Sequence, residues 1–144
     1  MRMATPIEIL LVEDNEGDVE MTRRALRNDE FACRISVAND GVDALNFLRK
    51  QEKFSDAPKP HLILLDLNMP RMDGKQFLEN AKADPALKAI PVVMLTSSQS
   101  PNDVRECYER HANCYVVKPF NGKEFADTVR QIVSFWSSLA KSPY

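Results

Sequence analysis

The chain has no basic cluster, no long apolar run and no paired cysteines, and each absence removes a class of function. None of its 144 residues lies in an apolar stretch approaching the roughly 20 residues that cross a bilayer, so no membrane segment is expected. The amino terminus, MRMATPIEILLVEDN, reaches acids too soon for a secretory signal. Three cysteines, Cys33, Cys107 and Cys114, are odd in number and lack metal-ligand spacing, as in a reduced, cytoplasmic protein. They are expected as small buried apolar residues. The net charge of -2, with Arg23 and Arg24 forming a pair rather than a stripe, argues against a nucleic-acid surface. His61 and His111 stand alone and are given structural roles. The length favours one domain over residues 1–144, with a core over about 6–139 and a short tail.

What the chain does have is one pattern repeated. Residues 7–12, IEILLV, form an apolar run that stops at Glu13 and Asp14. The run Leu62-Ile63-Leu64-Leu65 stops at Asp66, followed by Asn68, Met69, Pro70 and the turn pair Asp73-Gly74. Residues 90–95 close on Thr96, and residues 114–117 on Lys118-Pro119-Phe120. Short apolar runs bounded by turn signals read as strands buried on both faces. A weaker strand at 33–38 has no polar group at its end. Helices are expected between them: at 17–28, after an Asn39-Asp40-Gly41 cap, around Phe77, Leu78 and Ala81, from Pro101, and over a stripe of Phe125, Val129, Ile132, Val133 and Trp136. Residues 51–60 read as a loop. Strands alternating with helices define an α/β fold, a doubly wound parallel five-stranded sheet of flavodoxin-like (βα)5 type, order 2-1-3-4-5.

Right-handed crossovers put every strand's carboxyl end on one edge. Glu13, Asp14, Asp66, Thr96 and Lys118 then share a small space, and the strand without a polar end falls at the outside. Three carboxylates in one pocket repel each other, and a divalent cation relieves this. Mg2+ takes one or two carboxylates, waters and phosphate oxygens. Asp14 and Asp66 are the expected direct ligands, with Glu13 acting through water. Asp66 beside such a cation can attack phosphorus as a nucleophile, with Lys118 and Thr96 stabilising the charge on the phosphoryl oxygens.

The segments ILLVEDN, LILLDLNMPRMDG, PVVMLTSS and YVVKPF together resemble the receiver domain of CheY-type response regulators, over nearly the full chain. The resemblance implies a two-component phosphorelay: Asp66 accepts a phosphoryl group from the phosphohistidine of a sensor histidine kinase. It implies Mg2+ held by Asp14, Asp66 and the backbone carbonyl of Asn68, assisted by Glu13. It implies that Thr96 and Lys118 contact the phosphoryl group, and that Lys118–Pro119 is a cis peptide. Tyr115 takes the place of the family's switching aromatic, turning inward on phosphorylation and changing the face formed by the fourth helix, fifth strand and fifth helix. The long loop before the third strand, the segment DPALKAIPVVMLTSS and the ending IVSFWSSL resemble the stand-alone regulators that pair with bacterial phytochromes, which tend to form homodimers through that same face and the carboxyl-terminal segment.

Phe135 and Leu139 lie off the apolar stripe of the last helix and are candidates for an exposed self-association patch. Trp136 lies on the stripe, so burial within the monomer is its simplest role. The expected activity is self-phosphorylation and slow self-dephosphorylation, with no metabolite turned over and output by protein–protein contact. A Mg2+-dependent phosphohydrolase of haloacid-dehalogenase type would carry an acid where Asn68 stands. A flavin-binding protein would need a glycine-rich phosphate loop after the first strand, unlike Glu13-Asp14-Asn15-Glu16-Gly17. A scaffold that keeps only the fold would have lost acids or the lysine.

Overall fold

Alternation along the strands decides the layering. In β1 (Ile7–Val12) successive side chains point to opposite faces, and both faces are apolar. Ile9 and Leu11 join one core cluster; Leu10 and Val12 join the other. In β3 (Leu62–Leu65), Leu62 and Leu64 oppose Ile63 and Leu65; in β4 (Val92–Thr96), Val93 and Leu95 oppose Val92 and Met94. These central strands need cover on both sides. The flanking strands β2 (Cys33–Ala38) and β5 (Cys114–Val117) are mostly half-buried. The five pair in parallel in the order β2-β1-β3-β4-β5, as the sequence predicts. This computed structural model describes residues 6–27 and 32–143.

The helices supply the cover. α1 (Glu16–Ala25) and α5 (Gly122–Ser134) lie on the Ile9 face, where Ala25, Phe125, Val129 and Val133 are buried. α2 (Gly41–Leu48), α3 (Gly74–Ala83) and α4 (Pro101–Glu109) cover the Leu10 face with Ala44, Phe47, Phe77, Leu78, Ala81 and Cys107. Full burial of a side chain the size of Val129, Leu78 or Phe77 contributes about 1.5–3 kcal/mol. Each helix starts on a side chain that accepts a backbone N–H: Asn15, Asp40, Asp73, Ser100 and Asn121. Such a cap stabilises a helix by about 1 kcal/mol. Because these caps lie just past the strand ends, the five connecting turns all gather at the carboxyl edge of the sheet.

The departures from expectation are local. The first helix spans Glu16–Ala25; residue 28, its expected end, lies outside the described residues. β4 begins at Val92, not residue 90: Ile90 N–H is spent on the Leu87 carbonyl in a turn, and Pro91 has no N–H to give. The 51–60 loop contains a single 3-10 turn, Glu52–Phe54. Cys107 is buried as expected, but Cys33 and Cys114 are only half-buried because they lie on edge strands. Trp136 is half-buried rather than buried. The last helix widens into a π-turn at Phe135–Leu139, and Trp136 packs from that turn against the same core as the α5 stripe without being fully covered.

Candidate functional site at the carboxyl edge of the sheet

Asp66 follows the last residue of β3, a central strand, and is itself buried. Its Oδ1 accepts the Leu67 N–H at 2.8 Å. The backbone around it is fixed from two sides. Gly74 N–H donates to the Leu67 carbonyl at 2.7 Å, and a Cβ at position 74 would meet the Asp66 carbonyl oxygen at 2.6 Å. Only glycine permits that approach. On the outside of the loop, Arg71 holds a left-handed backbone (φ 61°). Its guanidinium meets Asp40 at 2.7 Å and Asp43 at 3.1 Å, pinning the loop to the start of α2.

Glu13 and Asp14 follow β1. Ligand oxygens of Glu13, Asp14 and Asp66 all lie within 4.8 Å of one another. Glu13 is buried and Asp14 is exposed. Burial pushes the Glu13 carboxyl up to about 7, and the negative charge of Asp66 adds to this; the bond from Lys118 offsets only part. Hard oxygen donors on two sides, one facing solvent, fit a divalent cation that keeps part of its water shell. Asn68 is exposed at the mouth of the loop.

Lys118 enters from the end of β5. Its Nζ donates to Glu13 Oε1 at 2.6 Å and to Asp18 Oδ2 at 2.7 Å, and stands 3.8 Å from Asp66 Oδ1. Burial disfavours the ammonium, yet these carboxylates outweigh it and hold the group above its ordinary value. All described peptide bonds are trans, Lys118–Pro119 included, which corrects the expected cis form. Trans is the default for an X–Pro bond by about 0.5–1 kcal/mol, and Lys118 reaches its partners without leaving it.

Thr96 ends β4 and is buried; its Oγ1 accepts the Ser98 N–H at 3.4 Å. Tyr115, on β5, is half-buried, and its hydroxyl donates to the Ser98 carbonyl at 2.9 Å. The ring is thus already engaged with the loop after β4. Ser98 Oγ donates to Asp103 at 2.5 Å, and Asp103 is shared with Lys75 at 2.7 Å, which also meets Glu106 at 2.6 Å.

Glu13, Asp14, Asp66 and Lys118 therefore come together as expected, with Thr96 on the neighbouring strand end. Phe135, Trp136 and Leu139 lie away from them, at the far end of α5: Phe135 and Leu139 are exposed, and Phe135 and Trp136 line an apolar hollow of about 520 Å³. The sequence reading missed Asp18 and the Lys75–Asp103–Ser98 chain. An acid in the first turn of a helix reads as a favourable partner of the helix dipole, so Asp18 carried no distinct signal. The lysine and its acids are about 30 residues apart in sequence and on different helices.

A strand-end aspartate is thus grouped with two acids, a threonine and a lysine at the carboxyl edge of this sheet. The chain matches the response regulator receiver domain over residues 9–130 and belongs to that family; it is a receiver domain of two-component signalling. It is similar to Response regulator Rcp1 of Synechocystis sp. (strain ATCC 27184 / PCC 6803 / Kazusa), with 41% identity over 138 residues, 96% of this chain and 94% of that protein. The crystal structure of the phosphorylated cyanobacterial phytochrome response regulator RcpA superposes with a TM-score of 0.93 at 38% identity, covering 97% of this chain and all (100%) of that one. The Mn2+-bound form of Rcp1 gives 0.91 at 40% identity, over 96% and 100%.

Proposed function

We propose that the chain is a phosphoacceptor switch driven by a sensor histidine kinase of the bacterial phytochrome type, with Asp66 as the acceptor and Mg2+ as the cation. The observation that carries this is the position of Asp66: a buried carboxylate at a central strand end, whose neighbours are two further acids and one ammonium. In the transfer, the N–P bond of a phosphohistidine breaks, its electron pair leaves with the imidazole, and an Asp66 Oδ–P bond forms. Bound Mg2+ supplies neutralising charge at the phosphoryl oxygens. Glu13, Asp14, Asp66 and the Asn68 carbonyl would hold it. Lys118 offers an N–H hydrogen bond to a phosphoryl oxygen, and Thr96 offers its hydroxyl from the neighbouring strand end.

The output is a change of protein contacts on α4, β5 and α5, beginning with Thr96, Ser98 and Tyr115. No metabolite is turned over. The exposed Phe135 and Leu139, beside Trp136, suit a homodimer contact, and three free cysteines suit a cytoplasmic setting. Similarity to phytochrome response regulators supports the choice of kinase.

The test is phosphotransfer from an autophosphorylated phytochrome histidine kinase in Mg2+, followed on phosphate-affinity gels and by size-exclusion chromatography. The reading predicts rapid label transfer to wild type and none to Asp66→Asn. Transfer to the variant would place the acceptor elsewhere, and unchanged elution of a monomer at high concentration would remove the dimer.

A further inference from the structure

The Lys118 ammonium is held by two acids, and only one of them belongs to the expected cation site. Glu13 Oε1 is 2.6 Å from Nζ and Asp18 Oδ2 is 2.7 Å away. Glu13 is also one of the three carboxylates whose oxygens cluster within 4.8 Å. A divalent cation bound there draws on the same Glu13 charge that holds the lysine, and its own positive charge repels the ammonium. Asp18 stands outside that cluster, on α1. Its backbone is fixed, because its N–H donates to the Asn15 cap at 2.9 Å and its carbonyl accepts the Thr22 hydroxyl at 2.8 Å. Its side chain is only 23% exposed, so it faces the lysine and not open solvent.

We infer that Asp18 is a positioning residue: it is the anchor that keeps Lys118 in the site when a cation occupies Glu13, Asp14 and Asp66. The inference rests on the phosphoacceptor reading of Asp66. An ammonium has three N–H bonds in tetrahedral array. Two are committed to Glu13, just past β1, and to Asp18 on α1. The third is then aimed, and the remaining acid nearby is Asp66, 3.8 Å from Nζ. A donor oriented before reaction stabilises developing charge without reorganising. When a phosphoryl donor such as acetyl phosphate reacts, its P–O bond to the acetyl group breaks with the electron pair leaving on acetate, and the Asp66 Oδ–P bond forms. The aimed N–H meets the phosphoryl oxygens on the Asp66 side. Without Asp18, a cation at the cluster leaves the lysine with one weakened bond and a mobile head.

Two measurements on the full chain test this. In the first, adduct formation with acetyl phosphate and Mg2+ is timed by intact mass for wild type, Asp18→Asn, Lys118→Met and the double variant. Asp18→Asn keeps the size and helix position of the side chain and removes only its charge. It should slow adduct formation about fivefold to tenfold, less than the ~10²-fold typical of deleting a charge-stabilising donor. In the Lys118→Met background the same substitution should change the rate by less than about twofold, since coupled residues are non-additive. An equal factor in both backgrounds, or no effect in either, overturns the inference. Absence of adduct on wild type instead overturns the reading of Asp66 on which it rests.

The second measurement needs no turnover. Lysine side-chain nitrogen NMR, assigned with Lys118→Met, should show a discrete, slowly exchanging Lys118 ammonium in wild type both without metal and after Mg2+ addition. In Asp18→Asn that signal should survive without metal, held by Glu13, and be lost when Mg2+ is added. Asp18→Glu, which restores the carboxylate, should recover it. A Lys118 signal that persists in Asp18→Asn with Mg2+ would show that another group anchors the lysine.

Discussion

The two halves of the site are tied to different parts of the molecule. Around Lys118, bonds of 2.6 and 2.7 Å join the end of β5 to the end of β1 and to the first turn of α1, and Asp66 Oδ1 accepts the next residue's N–H at 2.8 Å. Around Thr96 the direct bond is long, 3.4 Å to the Ser98 N–H. The short bonds there tie the loop to helices: Ser98 Oγ and Lys75 on α3 both donate to Asp103 on α4, and the Tyr115 hydroxyl donates to the Ser98 carbonyl. The groups placed to react are braced against the sheet. The groups given the reporting role in the proposed switch are braced against helices and one another. Lys75 connects the two halves: it follows Gly74, which abuts the Asp66 carbonyl, and it grips Asp103 on the reporting side.

That contrast can be broken in order of effect. Lys118→Ala, in the reacting half, should leave divalent-cation binding intact and slow adduct formation by about 10²-fold, the loss typical of a deleted charge-stabilising donor. Loss of cation binding, measured by titration calorimetry, would contradict the role given to the lysine. Gly74→Ala forces a Cβ to within 2.6 Å of the Asp66 carbonyl and 3.0 Å of Leu67 Cα, both backbone atoms that cannot swing away. Overpacking of this kind costs about 1–3 kcal/mol, to be read from chemical denaturation, with a slower adduct as the second sign.

Burial raises the Glu13 carboxyl from 4.5 to about 7. The folded chain therefore binds a proton here that the unfolded chain has released, and the metal-free protein should lose stability as pH rises from about 4.5 to about 7. Cation affinity should rise over the same interval, because the ligand must be ionised. Melting temperatures with and without Mg2+ check both signs. The smallest effect is expected for Lys75→Met. Its pairs with Asp103 and Glu106 are partly solvated, and such a pair contributes about 0.2–1 kcal/mol. Adduct formation should be unchanged while amide exchange at the start of α4 becomes faster. A changed rate of adduct formation would merge the two halves into one.

Much of this was legible in the sequence because the central strands are written as apolar runs cut off by one polar residue. The runs ending at Glu13, Asp66, Thr96 and Lys118 give the sheet, its order and the cluster at its edge together. What escaped depends on contacts between distant helices. Nothing near Asp18 announces a lysine 100 residues away, and Lys75 meets its acids across a helix boundary. Trp136 fits the α5 stripe by spacing and packs against the same core, but only half-buried, in the π-turn that begins at Phe135. The cis peptide was carried over with the family pattern KPF, and the local geometry does not require it.

The most direct measurement is intact mass after incubation with acetyl phosphate and Mg2+, comparing wild type with Asp66→Asn. The account predicts one labile phosphoryl adduct on wild type and none on a folded Asp66→Asn. An adduct of equal yield on both proteins would contradict it, since the phosphoryl group would then be carried by another residue.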